Sequence, residues 1–82
     1  KTAKILMLSV VKHVRRKKIG TNLLNRLLNK LKEENISYVE LEVSKNNLEA
    51  ISFYQKHGFK IKEILHGFYQ NGEDAYLMNK NI

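Results

Sequence analysis

The run Lys4–Val11, KILMLSVV, is apolar almost throughout. It is followed by a helical pattern and then by a second strand-like run at Tyr38–Ser44. An apolar stretch of this kind suits a strand covered on both faces, as in a parallel sheet. Two strands separated by a helix are expected to run parallel through a right-handed crossover. That expectation removes most all-helical and all-hairpin architectures.

The helical pattern is carried by Ile19, Leu23, Leu24, Leu27, Leu28 and Leu31. Their spacing predicts an amphipathic helix from Ile19 to Glu34, with Asn35 as its stop. In YVELEVS, Val39, Leu41 and Val43 alternate with Tyr38, Glu40, Glu42 and Ser44, which predicts a strand with one apolar face. Asn46 or Asn47 can cap a short helix reaching His57, with Leu48, Ile51 and Tyr54 near one stripe and Gly58 as the left-handed stop. Phe59–Tyr69 reads as a further strand and Asn71-Gly72 as a two-residue hairpin turn. Ala75–Met78 begins the returning strand. The predicted order is β-α-β-α-β-β, an α/β (α+β) arrangement with a mixed sheet.

The chain has 82 residues, enough for one domain or less. It has no cysteine, which removes disulfides and thiolate metal sites and fits a reducing compartment. No apolar run approaches the ~20 residues that span a bilayer. The opening residues lack a small-residue cleavage pattern, so they read as a strand and not a signal peptide. The chain starts without Met and enters an apolar run at once, so a piece of a longer protein is expected. His13, His57 and His66 have no metal-ligand spacing and read as surface or boundary residues.

Net charge is +7, from 15 Lys and Arg against 8 Asp and Glu. Five of the cations, Lys12, Arg15, Arg16, Lys17 and Lys18, crowd into one turn, and without them ten cations face eight anions. The excess is therefore local. A nucleic-acid surface spreads its cations along a face, often with aromatics between them, and this cluster contains none. Nucleic acid is not the expected partner, although a basic nucleic-acid or ribosome-binding module is the competing class. Cations at a helix N-terminus are unfavourable against the helix dipole unless an anion sits there. Free backbone N–H groups, the close approach allowed by Gly20, and the forked guanidinia of Arg15 and Arg16 suit a phosphate or pyrophosphate. The Walker and dinucleotide glycine patterns are both missing.

Three blocks carry a family resemblance. Arg15-Arg16-Lys17-Lys18-Ile19-Gly20 is similar to [QR]-x-x-G-x-[GA], with Lys18 at the first glycine. Asn47-Leu48-Glu49-Ala50-Ile51-Ser52-Phe53-Tyr54-Gln55-Lys56-His57-Gly58-Phe59 matches N-x-x-A-x-x-x-Y-x-x-x-G-F in full. Phe68–Met78 is similar to Y-Y-x-x-G-E-D-A-Y-x-M. In this order they resemble the GNAT superfamily of acetyl-CoA-dependent N-acetyltransferases, and most of all the catalytic subunits that acetylate protein N-termini. The resemblance implies that residues 1–82 are the C-terminal part of a single such domain, without the family's N-terminal strands and helices.

What the resemblance implies for chemistry is specific. Acetyl-CoA is the cosubstrate, its pyrophosphate held by Arg15, Arg16, Lys18, Gly20 and Thr21. Leu8 and Val10 pair with the pantetheine amides, and both also suit a plain core strand. Lys18 is costly if its position needs positive φ, and costs little in a helix. Asn47 contacts the cofactor or only caps its helix. Glu42 acts through water as general base, or is a solvent-facing carboxylate beside Glu40. Tyr54 reaches the thioester sulfur and protonates the leaving thiolate, whereas spacing alone reads it as a core tyrosine. Phe68 and Tyr69 clamp the acceptor, or form a hydrophobic hairpin pair. The acceptor is a protein or peptide N-terminus, with a lysine or small amine as the alternative. An auxiliary or ribosome-associated subunit and a cytoplasmic location follow from the same resemblance, with no membrane partner.

Overall fold

The computed structural model describes residues 2–4 and 17–82, with residues 2–4, 17 and 18 described by backbone alone. The elements are β1 (Thr2–Lys4), α1 (Lys17–Glu33), β2 (Tyr38–Ser44), α2 (Leu48–Lys56), β3 (Lys60–Leu65) and β4 (Ala75–Asn81). They form one four-stranded sheet in the order β1-β2-β4-β3. β1 runs parallel to β2, with Ala3 opposite Val39. The β2–β4 and β3–β4 pairs are antiparallel. The mixed sheet and the β-α-β-α-β-β order agree with the sequence expectation. The remainder of the predicted first strand, through Val11, lies outside the described residues.

Alternation decides the faces. In β2, Val39, Leu41 and Val43 are buried, while Tyr38, Glu40, Glu42 and Ser44 are half-buried between them. Leu24 and Leu28 of α1 and Ala50, Ile51, Phe53 and Tyr54 of α2 join those three residues, Phe59 and Met78 in one core. Both helices therefore pack on the same face of β2, and Glu42 belongs to the other. Leu27 and Leu31 pack at the margin of this core. Ile19 and Leu48, which the helical spacing placed on the apolar stripes, are 41% and 73% exposed. Each sits in the first turn of its helix.

Helix boundaries have local causes. Asn35 takes φ 65° and ends α1, with its amide donating to the Lys32 carbonyl at 3.0 Å. Asn47 caps α2, its Oδ1 accepting from the Ala50 amide at 3.2 Å. At the other end Gly58 has φ 90°, and the Phe59 amide returns to the Tyr54 carbonyl at 2.9 Å. Lys80 Nζ donates to the His57 carbonyl at 2.6 Å, tying this helix end to β4.

The final hairpin departs from expectation. β3 stops at Leu65 and not Tyr69, because Gly67 turns the chain with φ 62°. Asn71-Gly72 does not join the strands as a two-residue turn. It lies inside a longer loop, in which the Gly72 amide donates to the Tyr69 carbonyl at 2.9 Å and the Tyr69 amide to the Glu73 carbonyl at 3.1 Å. A type I′ turn needs positive φ at both central residues. Among the described residues, Asn35 is the only non-glycine with positive φ, so Asn71 does not meet that requirement.

Candidate active site

The loop between β3 and β4 overhangs the end of β2. Together they border an open cavity of about 760 Å3 lined by Glu42, Val43, Ser44 and Asn47 from one side. Phe68, Tyr69, Asn71 and Glu73 line it from the loop. Four residues singled out from sequence, Glu42, Asn47, Phe68 and Tyr69, thus meet in one place, although Phe68 is 26 positions from Glu42 in the chain. Glu42 stands opposite Leu77 in the β2–β4 register, at the edge where the sheet gives way to the loop. The Phe68 and Tyr69 rings meet edge to face with centroids 5.0 Å apart. Burial pushes the Tyr69 hydroxyl above the usual tyrosine range, and the carboxylates of Glu42 and then Glu73 push it further.

The loop is held by carboxylates. Ser44 Oγ donates to Glu73 Oε1 at 3.2 Å and Asn46 Nδ2 to Glu73 Oε2 at 2.9 Å. Asp74 Oδ1 accepts from the Gly67 amide at 2.9 Å, and its Oδ2 lies 3.4 Å from His66 and 3.7 Å from Lys45. Asn46, then Asn71 and Ser44, hold the Glu73 carboxyl below the usual carboxylate range. The Gly67 amide does the same for Asp74, with smaller help from His66 and Lys45. Glu73 and Asp74 belong to the Phe68–Met78 block, and the resemblance gives them no role. Their position directly after Asn71-Gly72 is the signal the sequence carries; their reach to Ser44, Lys45 and Asn46 is set by packing.

A second cavity, of about 370 Å3, opens between the start of α1 and the flank of α2. It is lined by Thr21, Leu48, Glu49, Ser52, Phe53, Lys56 and His57. Thr21 Oγ1 and His57 Nε2 are 3.2 Å apart, and His57 Nδ1 lies 2.8 Å from the Phe53 carbonyl. Gly20 is buried beside Thr21 in the first turns of α1. Lys17 and Lys18 already belong to that helix, so Lys18 has helical backbone and needs no positive φ. Leu8, Val10, Arg15 and Arg16 lie outside the described residues.

Tyr54 lines neither of these two cavities. It is fully buried, edge to face with Phe53 and Phe59 at centroid distances of 5.3 and 5.4 Å. Burial pushes its hydroxyl well above the ordinary tyrosine range, so the proton stays on oxygen at neutral pH.

A mixed sheet with two helices on one face, a helix N-terminus at one cavity and a carboxylate-bearing strand at another defines a two-layer α/β protein. The chain belongs to the acetyltransferase (GNAT) family, whose model matches residues 1–59. The N-alpha-acetyltransferase of Saccharolobus solfataricus is 40% identical over 79 residues, covering 95% of this chain and 47% of that protein. Ard1 from Thermoplasma volcanium superposes with a TM-score of 0.80 at 37% identity, covering 85% of this chain and 47% of that one. Arabidopsis thaliana Naa50, solved with the bisubstrate analogue CoA-Ac-MVNAL, gives a TM-score of 0.71 at 38% identity, over 78% of this chain and 44% of that one. The chain spans about half the length of the curated relatives it matches. Among the described residues no helix is long and apolar enough to cross a membrane.

Proposed function

We propose that this chain supplies the C-terminal part of an enzyme that acetylates the N-terminal α-amine of proteins or peptides, acting in the cytoplasm. The observation that carries the reading is the meeting of Glu42, Asn47, Phe68 and Tyr69 around one cavity. Support comes from relatives named for α-amine acetylation and from a neighbour solved with a peptide-bearing CoA analogue.

Acetyl-CoA supplies the activated acetyl group as a thioester. The start of α1, with Arg15, Arg16, Lys18, Gly20 and Thr21, holds its pyrophosphate, while Leu8 and Val10 pair with the pantetheine. The Asn47 cap uses the side-chain oxygen and not the Nδ2 donor, which remains for the cofactor. Phe68 and Tyr69 position the acceptor over Glu42. As the amine nitrogen bonds to the acetyl carbon and the carbon–sulfur bond breaks, a proton leaves nitrogen and a proton must reach sulfur. Glu42 takes the first through a water; Tyr54, which burial keeps protonated at neutral pH, delivers the second and recovers a proton once the thiol has left. An α-amine has a pKa near ~8, so a weak base suffices, whereas a lysine amine near ~10.4 would demand more.

The test uses the protein as its gene encodes it, with acetyl-CoA and two peptides read by mass spectrometry. One peptide has a free N-terminus and no lysine; the other has a blocked N-terminus and one free lysine. Acetylation of the first alone is expected. Acetylation of the second alone would reassign the acceptor to a side-chain amine.

A further inference from the structure

The loop that carries Phe68 and Tyr69 has little apolar anchorage. Phe68 is 47% exposed, and His66, Gly67, Gln70, Asn71 and Gly72 are all exposed. Its order comes from polar contacts that converge on two adjacent carboxylates. Glu73 bridges outward to the β2–α2 corner through Ser44 Oγ and Asn46 Nδ2. Its own amide donates to Asn71 Oδ1 at 3.0 Å, and its carbonyl accepts from the Tyr69 amide. One residue therefore contacts both the corner next to Asn47 and the backbone of Tyr69. The backbone adds a parallel tie, since the Lys45 amide donates to the Asp74 carbonyl at 3.0 Å.

We propose that Glu73 is a positioning residue for acceptor binding: by bridging Ser44 and Asn46 to the backbone of Tyr69, it sets the height of the Phe68–Tyr69 loop above Glu42. This rests on the reading of the cavity as an acceptor site. Among the described residues Glu73 makes no hydrogen bond to Asn47 or Thr21, which belong to the cofactor in this reading. Loosening the loop therefore weakens the acceptor and spares acetyl-CoA. Asp74 serves the far end of the same loop by holding the Gly67 turn. It also reaches the β2–α2 corner at Lys45, 3.7 Å from its Oδ2, but not Ser44 or Asn46, the side chains that Glu73 engages.

The experiment compares the wild-type protein, Glu73→Ala, Glu73→Gln and Asn46→Ala. Steady-state kinetics are run with acetyl-CoA and an N-terminally free peptide. Hydrogen exchange is followed separately over residues 66–74 and over α2. In Glu73→Ala the acceptor KM should rise roughly tenfold, the scale of losing charge-assisted hydrogen bonds, with the acetyl-CoA KM unchanged. Glu73→Gln keeps one acceptor oxygen and should recover part of the loss. Asn46→Ala should raise the acceptor KM less, and should add little on top of Glu73→Ala because the two share one bond. Exchange at residues 66–74 should speed up in Glu73→Ala while α2 stays protected. An unchanged acceptor KM in Glu73→Ala overturns the proposal, as does an equal rise in both KM values. If the wild-type protein acetylates no peptide, the acceptor-site reading fails. The exchange comparison then decides the bridge alone, and unaltered exchange in the loop overturns it.

Discussion

Thr21 Oγ1 lies 3.2 Å from His57 Nε2, joining the first turns of α1 to the end of α2 across 36 residues of sequence. The direction of the bond follows from the other ring nitrogen. His57 Nδ1 sits 2.8 Å from the Phe53 carbonyl, which can only accept, so Nδ1 carries the hydrogen. In the neutral ring Nε2 then accepts from the threonine hydroxyl. The ring also packs against Phe53, with centroids 4.5 Å apart and planes tilted by 39°. Thr21→Val removes this bond with little change in shape. The dissociation constant for coenzyme A, measured by calorimetry, is expected to rise about fivefold, as a hydrogen bond of ~1 kcal/mol implies.

Arg15 and Arg16 are expected to grip the cofactor phosphates. Arg15→Ala and Arg16→Ala should each weaken coenzyme A by ~1–3 kcal/mol, and dephosphorylated analogues should lose affinity similarly. Because Lys18 lies within α1, Lys18→Gly should not tighten binding. It should instead loosen the first turn by up to ~1 kcal/mol. Tighter coenzyme A binding in Lys18→Gly would restore the idea of a strained loop.

Glu42→Gln should lower kcat/KM most at pH values below the acceptor amine's pKa of ~8, where few amines are neutral. The deficit should shrink as pH approaches that value. A deficit constant with pH would assign Glu42 to binding and not to proton removal.

Tyr54→Phe should cut turnover by ~10²–10⁴, the usual worth of a positioned acid, with coenzyme A affinity preserved. The same variant has a stability signature. Burial raises the tyrosine pKa in the fold, so the folded chain holds the proton more tightly than the unfolded chain. That contribution is complete below the unfolded pKa near ~10 and is lost as pH rises beyond it. The midpoint of denaturant unfolding should therefore fall more steeply above pH ~10 in the wild-type protein than in Tyr54→Phe.

Gly58→Ala tests the stop of α2. Gly58 has φ 90°, and an added Cβ would lie 3.2 Å from Lys80 Nζ, the group that donates to the His57 carbonyl. Left-handed backbone costs an L residue ~1–2 kcal/mol, so a Tm decrease of several degrees is expected. An unchanged Tm would mean the helix end has another route.

Much of the fold was legible because its signals are short-range. The alternation of Val39, Leu41 and Val43, the leucine stripe of α1, and the Asn47 and Gly58 boundaries each depend on residues a few positions apart. The second block is equally local: its spacing reads Tyr54 as a core tyrosine, and the family resemblance adds the acid role. The hairpin was misread for the opposite cause. Asn71-Gly72 prefers a two-residue turn locally, but Gly67 turns the chain earlier and Glu73 and Asp74 bind the resulting loop to Ser44, Asn46 and Lys45. Those contacts span some thirty residues, as in the 29-residue separation of Ser44 and Glu73, and no local periodicity encodes them. The gathering of Glu42 with Phe68 and Tyr69 and the link from Thr21 to His57 belong to the same class. Pairing distant strands and stacking both helices on one sheet face bring them together, so they exist only once the chain has packed.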